Sequence, residues 1–460
     1  MKRNETPIVT TTLADFILSP VETPKDVRQA GLRSFVNIIG CMLGGVNHPA
    51  SQIAYAVNSE FAGPAAATVL GRQEATDALS AAYLNALAAS AHAFDDTHLK
   101  TVLHPAAPVA ASLLAAAERH DSALGSKKRP ISGKQLLDAL ILGIEVQIRL
   151  GTALLAPPAE GQLGWYSSGI AGGVSAAAAT SRILDLSRER TCWAMGLASN
   201  QASGFRQTHG SMCTSFVPAH AARCGLQSAV LAEHGFTASD ASLEGENGYF
   251  DVFAIRANPA AAIASLGERW NVLQNTFKPY PCGIVIHPVV DACLMFAANS
   301  SIDINSIDKI VLEVNPLCLV LCDRPEPENS QLAQVSVQHW AAAALARGRA
   351  GLAEGDEACV NDPAVVSLRR KVSANPNSKL TRDAATVTIE TRDGKSLEEQ
   401  VIHCLGSAER PMTDDQLSTK FLDQAETVLG RPTAELLLAK CWSLEDLTSV
   451  SEIFGAETSP

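Results

Sequence analysis

The chain has 460 residues with 36 basic and 48 acidic side chains, a formal net charge of −12, and that balance excludes a sequence-independent nucleic-acid binder, which needs a basic face. Hydrophobic residues at 47% and charged residues at 18% describe a globular protein, and 31 glycines with 23 prolines exclude collagen-like and low-complexity classes. The length exceeds what one hydrophobic core usually supports, so two or three domains are expected.

Aromatic residues are only 5% while alanine comes in runs such as Ala176 to Ala179 and Ala341 to Ala344. Alanine is the best helix former and lets backbones approach, which predicts closely packed helices. In chain order, Thr23-Pro24 opens a helix over 24–43, and 75–93 reads as a second, small on nearly every face and therefore buried. Pro105 and Pro108 bracket the start of a helix over 109–119, followed by a polar loop over 120–132. Ser132-Gly133-Lys134 then leads into a helix ending near Leu150, and helices over 171–184, 188–201 and 218–234 complete the series.

The character changes near Trp270. Residues 310–314 and 385–390 alternate as strands, Arg392-Asp393-Gly394-Lys395 is a turn, and 398–403 returns as the paired strand. Helical segments lie at 288–298 and 335–346, and Thr413-Asp414-Asp415-Gln416 opens another over 417–429. The expected fold is mainly α with an inserted α+β domain. Residues 1–270 form the helical domain, 271–404 the α+β domain, and 405–460 the C-terminal helices that rejoin the first.

Eleven scattered cysteines show no paired spacing and read as buried free thiols in a reducing compartment. The start, Met1-Lys2-Arg3-Asn4-Glu5, lacks the apolar core of a secretory signal. The longest apolar run, 136–155, is interrupted by Asp138, Glu145 and Arg149, so no membrane span is expected and cytoplasm is the default.

Three polar clusters carry the candidate chemistry. The first is His92-Ala-Phe-Asp95-Asp96-Thr97-His98 with His104-Pro105, at the end of an alanine-rich helix. Two carboxylates and nearby imidazoles suit acid–base work or, less readily, a metal. The plainer reading has the aspartates capping helices and the histidines as hydrogen-bonded fillers. The second, 204–214, brings Arg206 and His209 into a glycine-flanked loop, where Arg206 is either a bidentate carboxylate clamp or a solvated surface arginine. The third, Lys278-Pro-Tyr280-Pro-Cys282, sits at the compositional change and reads as a hinge or as a ligand platform in a cleft. No phosphate-binding glycine loop, zinc-protease helix or nucleophile elbow is present, and Gly169-Ile-Ala-Gly172-Gly173 reads as close helix packing.

Taken together, Ala93-Phe-Asp-Asp-Thr97 with His104-Pro105, Trp165-Tyr-Ser-Ser-Gly-Ile-Ala-Gly172, His209-Gly-Ser-Met212 with His220-Ala-Ala-Arg223, and Lys278-Pro-Tyr-Pro-Cys282 resemble the MmgE/PrpD family. Asp323-Arg-Pro-Glu-Pro327 and Met412-Thr-Asp-Asp415 fit as well. Named members of that family are 2-methylcitrate dehydratase, cis-aconitate decarboxylase and iminodisuccinate epimerase. The resemblance implies a two-domain architecture with an α+β lid, a homodimer, and a cofactor-free, metal-free site in the cleft for a small anionic polycarboxylate. It implies His104 as acid–base, Lys278 as carboxylate binder or second proton donor, and Thr97 beside them, while Tyr166, standing at a family histidine, is expected to donate a hydrogen bond or act as an acid. Asp95, Asp96, Arg206, His209, Thr214 and Tyr280 are the expected substrate contacts.

Three positions depart from the family pattern. Ala93 stands where many members have an aspartate, Tyr166 where a histidine is common, and Thr214 where a lysine is common. Arg206, His209 or Arg223 are candidates to replace the lost charge, and a substrate less anionic or bulkier than cis-aconitate is expected. The leading expectation is a 2-methylcitrate- or alkylcitrate-type dehydratase. Decarboxylation and epimerisation share the proton chemistry, and a non-catalytic polycarboxylate-binding homologue is the rival from another class. A metal-dependent hydrolase using Asp95, Asp96 and His98 is a remoter third.

Overall fold

Helix α1 (Lys25–Gly45) runs beside α2 (Ala78–Ser90) at a distance set by one missing side chain. A Cβ on Gly45 would lie 1.9 Å from the carbonyl oxygen of Ala88, so only glycine admits this approach. Around that pair pack α3 (Ala106–Ser122), α4 (Gly133–Leu155), α5 (Ser167–Ile183), α6 (Arg188–Ser199) and α7 (Cys213–Glu233). The computed structural model describes residues 8–20, 22–122, 129–162, 164–298 and 303–454. The N-terminal Met1-to-Glu5 segment and residues 123–128 of the expected polar loop lie outside the described residues.

Sequence chemistry explains the helix boundaries. Asp77 caps α2 by accepting from the backbone N–H groups of Leu79 and Ser80, so the helix starts later than the 75–93 expectation. Ser132 and Gln135 form a reciprocal capping box at the start of α4, a device worth about 1 kcal/mol. α5 is buried on every face, Ala176 to Ala179 being fully enclosed. A Cβ on Gly169 would stand 2.1 Å from the Ser203 carbonyl oxygen, so this glycine run serves close packing. The charges interrupting α4 are internally neutralised. Arg149 donates to Glu145 at 2.6 Å and to the Ala264 and Arg269 carbonyls, while Glu145 accepts from the Val272 N–H. Among the described residues no helix is long and apolar enough to cross a membrane. All eleven cysteines are free, and all but Cys213 are buried.

A second apolar core forms over a four-stranded sheet. Its strands are β3 (Ile307–Val314), β4 (Val372–Pro376), β5 (Ala385–Thr391) and β6 (Ser396–Val401), in the order β6–β5–β3–β4. β3 and β4 pair in parallel and the other neighbours antiparallel. Ile310, Leu312 and Val314 alternate inward with Ala385, Val387 and Ile389, against α8 (His287–Ala298) and α9 (Val337–Arg347). β4 carries no sequence signal, because its Val-Ser-Ala-Asn-Pro run has one strong strand former and owes its place to β3.

The chain then returns to the first core. Thr413 and Gln416 form a second capping box at the start of α10 (Asp414–Leu429), and α11 (Arg431–Trp442) follows. Phe421, Ala425 and Leu437 of these two helices are buried with the helices of residues 25–233. Gly45→Ala is expected to lower unfolding stability by about 3 kcal/mol, the upper end of overpacking costs. Gly164→Ala, whose added carbon meets nothing within 4 Å, is expected to change it little. Urea titration of both variants checks this.

Candidate active site

Two short strands, β1 (Asp96–Thr97) and β2 (Thr276–Phe277), pair antiparallel and join the segment after α2 to the segment before the second core. This pairing sets Asp95 beside Lys278. The Lys278 ammonium donates to Asp95 Oδ1 at 2.6 Å and to the Ala93 carbonyl at 3.0 Å. A lysine has three N–H donors, so one remains for the neighbouring cavity. Ala93 itself sits at φ 50, a left-handed backbone that turns its carbonyl onto the ammonium.

His104 approaches the same carboxylate from the start of α3. Its Nδ1 lies 2.8 Å from the Asp96 carbonyl oxygen, 3.3 Å from Asp95 Oδ1 and 3.2 Å from Thr97 Oγ1. A carbonyl oxygen only accepts, so Nδ1 carries the proton and Nε2 is left as the nitrogen with a free lone pair. No hydrogen bond occupies Nε2 among the described residues. The backbone N–H of His104 is held by Ser168 Oγ at 2.9 Å. Although burial opposes it, the His104 and Lys278 side chains hold the Asp95 carboxyl well below the usual carboxylate range.

The cavity above this triad encloses about 660 Å³, its open mouth included, and lies between the helical and α+β parts. Asp95, His104, Tyr166, His209, Thr214 and Lys278 line it, as do all three departures from the family pattern, Ala93, Tyr166 and Thr214. The α+β side contributes mainly apolar wall, including Ile284, Val285, Leu321 and Val335. The Tyr166 ring stands edge-on to His209 at 4.8 Å and to His104 at 6.3 Å. Burial, reinforced by the Asp95 charge, pushes the Tyr166 phenol well above its ordinary range, so it is a neutral donor. Burial and the surrounding cations push His209 down to about 4, so its ring is neutral near pH 7. Thr214 spends its hydroxyl hydrogen on the Thr208 carbonyl at 2.9 Å.

Other expected contacts fall elsewhere. Asp96 is fully buried away from the cavity, where it accepts from the Ala106 N–H and from Asn275 Nδ2 at 2.6 Å. Burial and the Asp95 charge push it up to about 6. Its role is a helix cap, not a substrate contact. Tyr280 donates its hydroxyl to Asp291 Oδ1 at 2.6 Å and lines a different groove, because the prolines flanking it turn the ring into the second core. Thr97 is enclosed behind His104 and positions that ring. Arg206 lies in an adjoining outer pocket, and Arg223 stacks over the Tyr83 ring at 5.3 Å. His98 is committed to Thr101 at 2.7 Å, so Asp95, Asp96 and His98 do not converge.

One buried cation behind the site lies outside the sequence expectations. Lys420 of α10 is buried and donates to Asn37 Oδ1 at 2.7 Å, the Phe94 carbonyl at 2.6 Å and the Lys278 carbonyl at 2.8 Å. Burial and the Lys278 charge push it down to about 8. The sequence does hold a signal: Lys420 and Gln424 fall on the same face as Leu417, Phe421 and Ala425.

Residues 11–262 match the MmgE/PrpD N-terminal domain and residues 280–444 the MmgE/PrpD C-terminal domain. The chain is similar to the cis-aconitate decarboxylase-like protein oryM of Aspergillus oryzae, 27% identical with 97% of this chain and 96% of that protein covered. It is 26% identical to a cis-aconitate decarboxylase of Aspergillus terreus over 96% of this chain and 94% of that one. A cis-aconitate decarboxylase of Homo sapiens is 27% identical over 92% and 89%.

Burial lowers His92, His98, His209 and His339 each to about 4. The unfolded chain binds these protons near pH 6.5, whereas the folded chain resists them until about pH 4. Stability is therefore expected to fall on acidification through that window. Denaturation between pH 7 and 4 measures the slope, and His209→Gln is expected to flatten it by about one proton's worth.

Proposed function

The chain belongs to the MmgE/PrpD family, and from that premise we propose that it is a lyase that decarboxylates an unsaturated di- or tricarboxylate bearing an apolar substituent. The supporting observation is the cavity's composition. One open imidazole nitrogen and one spare ammonium hydrogen face walls of Val102, Ile284, Val285, Leu321 and Val335. A carboxylate held against such walls is poorly solvated, and leaving as neutral carbon dioxide removes its charge. Dehydration expels a hydroxyl instead, which needs a base for the carbon-bound proton as well as an acid for the departing hydroxyl. The curated relatives, named as cis-aconitate decarboxylases, favour the same choice, so decarboxylation takes the place of the dehydratase first expected.

In this reading the bond to the departing carboxylate breaks and its electron pair forms a new carbon–carbon double bond. The former double bond takes a proton at the carbon next to a retained carboxylate. Negative charge gathers on that carboxylate during the step, where the Lys278 ammonium and the Tyr166 hydroxyl stabilise it. The protonated His104 ring supplies the proton from Nε2, and Asp95 at Nδ1 stabilises that charged ring. Ala93 and Thr214 leave room and remove charge, which suits a substrate with an apolar arm.

Candidate acids turned over in deuterium oxide and read by mass spectrometry test this. Loss of carbon dioxide with one carbon-bound deuterium gained is expected, with kcat falling at least ~100-fold in His104→Gln. Loss of water restores the dehydratase, and deuterium uptake without mass loss points to an epimerase. No change with any polycarboxylate supports the non-catalytic homologue. Thr214→Lys is expected to raise kcat/KM for cis-aconitate roughly tenfold or more, since one charge-assisted hydrogen bond is worth about 1.5–3 kcal/mol.

A further inference from the structure

Outside the inner cavity lies a second pocket lined by Gly164, Phe205, Arg206, Gln207, His209, Val320, Leu321 and Arg324. It shares His209 and Leu321 with the inner cavity, so the two adjoin across those side chains. Arg206 comes from the short 3-10 turn before α7, and Arg324 from the α+β part that faces it. The Arg206 side chain makes no hydrogen bond or ion pair with any described residue, and its Nε is enclosed without a partner. Arg324 donates Nη1 only to the Asp323 carbonyl at 2.7 Å. The Asp323 carboxylate accepts from Gln338 Nε2 at 2.6 Å, and no ion pair joins it to the Arg324 side chain among the described residues.

A third cation stands near. Arg382 spends its side chain on the Leu99 and Lys100 carbonyls, each at 2.9 Å. Among the described residues no carboxylate pairs with any of these three guanidinium groups, in a chain whose net charge is −12. The His209 ring feels Arg206 and Arg324 from one side and His104 and Lys278 from the other. The enclosed Arg206 Nε–H without a partner is costly, and an arriving anion relieves that cost.

We propose that Arg206 and Arg324 form an outer anion subsite that takes a second carboxylate of the substrate whose reacting end lies at His104 and Lys278. The inference rests on the polycarboxylate reading of the inner cavity. The ligand class is an acid with two carboxylates separated by a segment that passes Leu321. One arginine comes from each part of the fold, so the bound carboxylate also ties the α+β part across the cleft.

The test is calorimetric titration of the full chain with cis-aconitate and with its monomethyl esters. Arg206→Gln and Arg324→Gln are each expected to weaken cis-aconitate about tenfold, the usual effect of losing one bidentate pair. The ester blocked at the distal carboxylate should bind wild type equally weakly and lose nothing further in the variants. Arg→Lys at either position should give intermediate affinity, and unchanged thermal melts without ligand show that the fold is intact. Unchanged affinity in both Gln variants overturns the subsite, as does absence of cis-aconitate binding to wild type. If Lys278→Met weakens binding while both Gln variants do not, the inner reading stands and the subsite falls. If both Gln variants weaken binding while His104→Gln and Lys278→Met leave binding and turnover unchanged, the subsite stands and the inner reading falls.

Discussion

The ion pair between Lys278 and Asp95 organises the molecule around it. Its partners are 183 residues apart in sequence and almost wholly enclosed. Taking two charges out of water is expensive, and removing one partner leaves the other uncompensated at about 3–5 kcal/mol. The fold answers with the β1–β2 pairing, which fixes the approach of the two segments, and with Lys420, which holds the Lys278 carbonyl from behind. That second buried ammonium belongs to a helix 142 residues further along the chain. The site therefore draws on three distant stretches, and its geometry depends on all of them being folded together.

Much of the secondary structure is legible in the sequence because it follows local rules. The helices over 25–45, 133–155 and 414–429 carry their starts in Thr23-Pro24, Ser132 and Thr413. The β5–β6 hairpin carries its turn in Asp393-Gly394. The site is legible only as a neighbourhood. His92-Ala-Phe-Asp-Asp-Thr-His98 packs several chemically equivalent groups into one turn, and direction alone separates them. Asp95 points to the cavity and Asp96 into a helix end, while His92 stands edge-on to His48 at 5.0 Å. Left-handed residues at Ala93 and Val102, types that rarely adopt that conformation, lie within and just after this stretch, and no sequence rule announces them. Tyr280 shows the same limit, since its flanking prolines announce a rigid turn without saying which way the ring faces.

On the proposed reading, an acidic chain takes an anion, which requires global and local charge to be separated. Here the local balance comes from pairing: Asp95 is buried against Lys278 and His104, and the arginines at the outer pocket form no ion pair with a carboxylate among the described residues. Field lines from unpaired cations in a low-dielectric cleft fall off slowly, so a few such groups outweigh many exposed acids near the opening.

The backbone at Ala93 has a consequence for how this chain diverges from its relatives. The cation in the cavity is gripped by a main-chain oxygen, which every residue type possesses. Position 93 can thus exchange its side chain without loosening the ammonium, provided the new residue tolerates the left-handed turn. Shape and charge of the binding chamber become adjustable there while the reactive centre keeps its aim. A single substitution at that corner is a route by which selection retunes what is accepted without rebuilding what reacts.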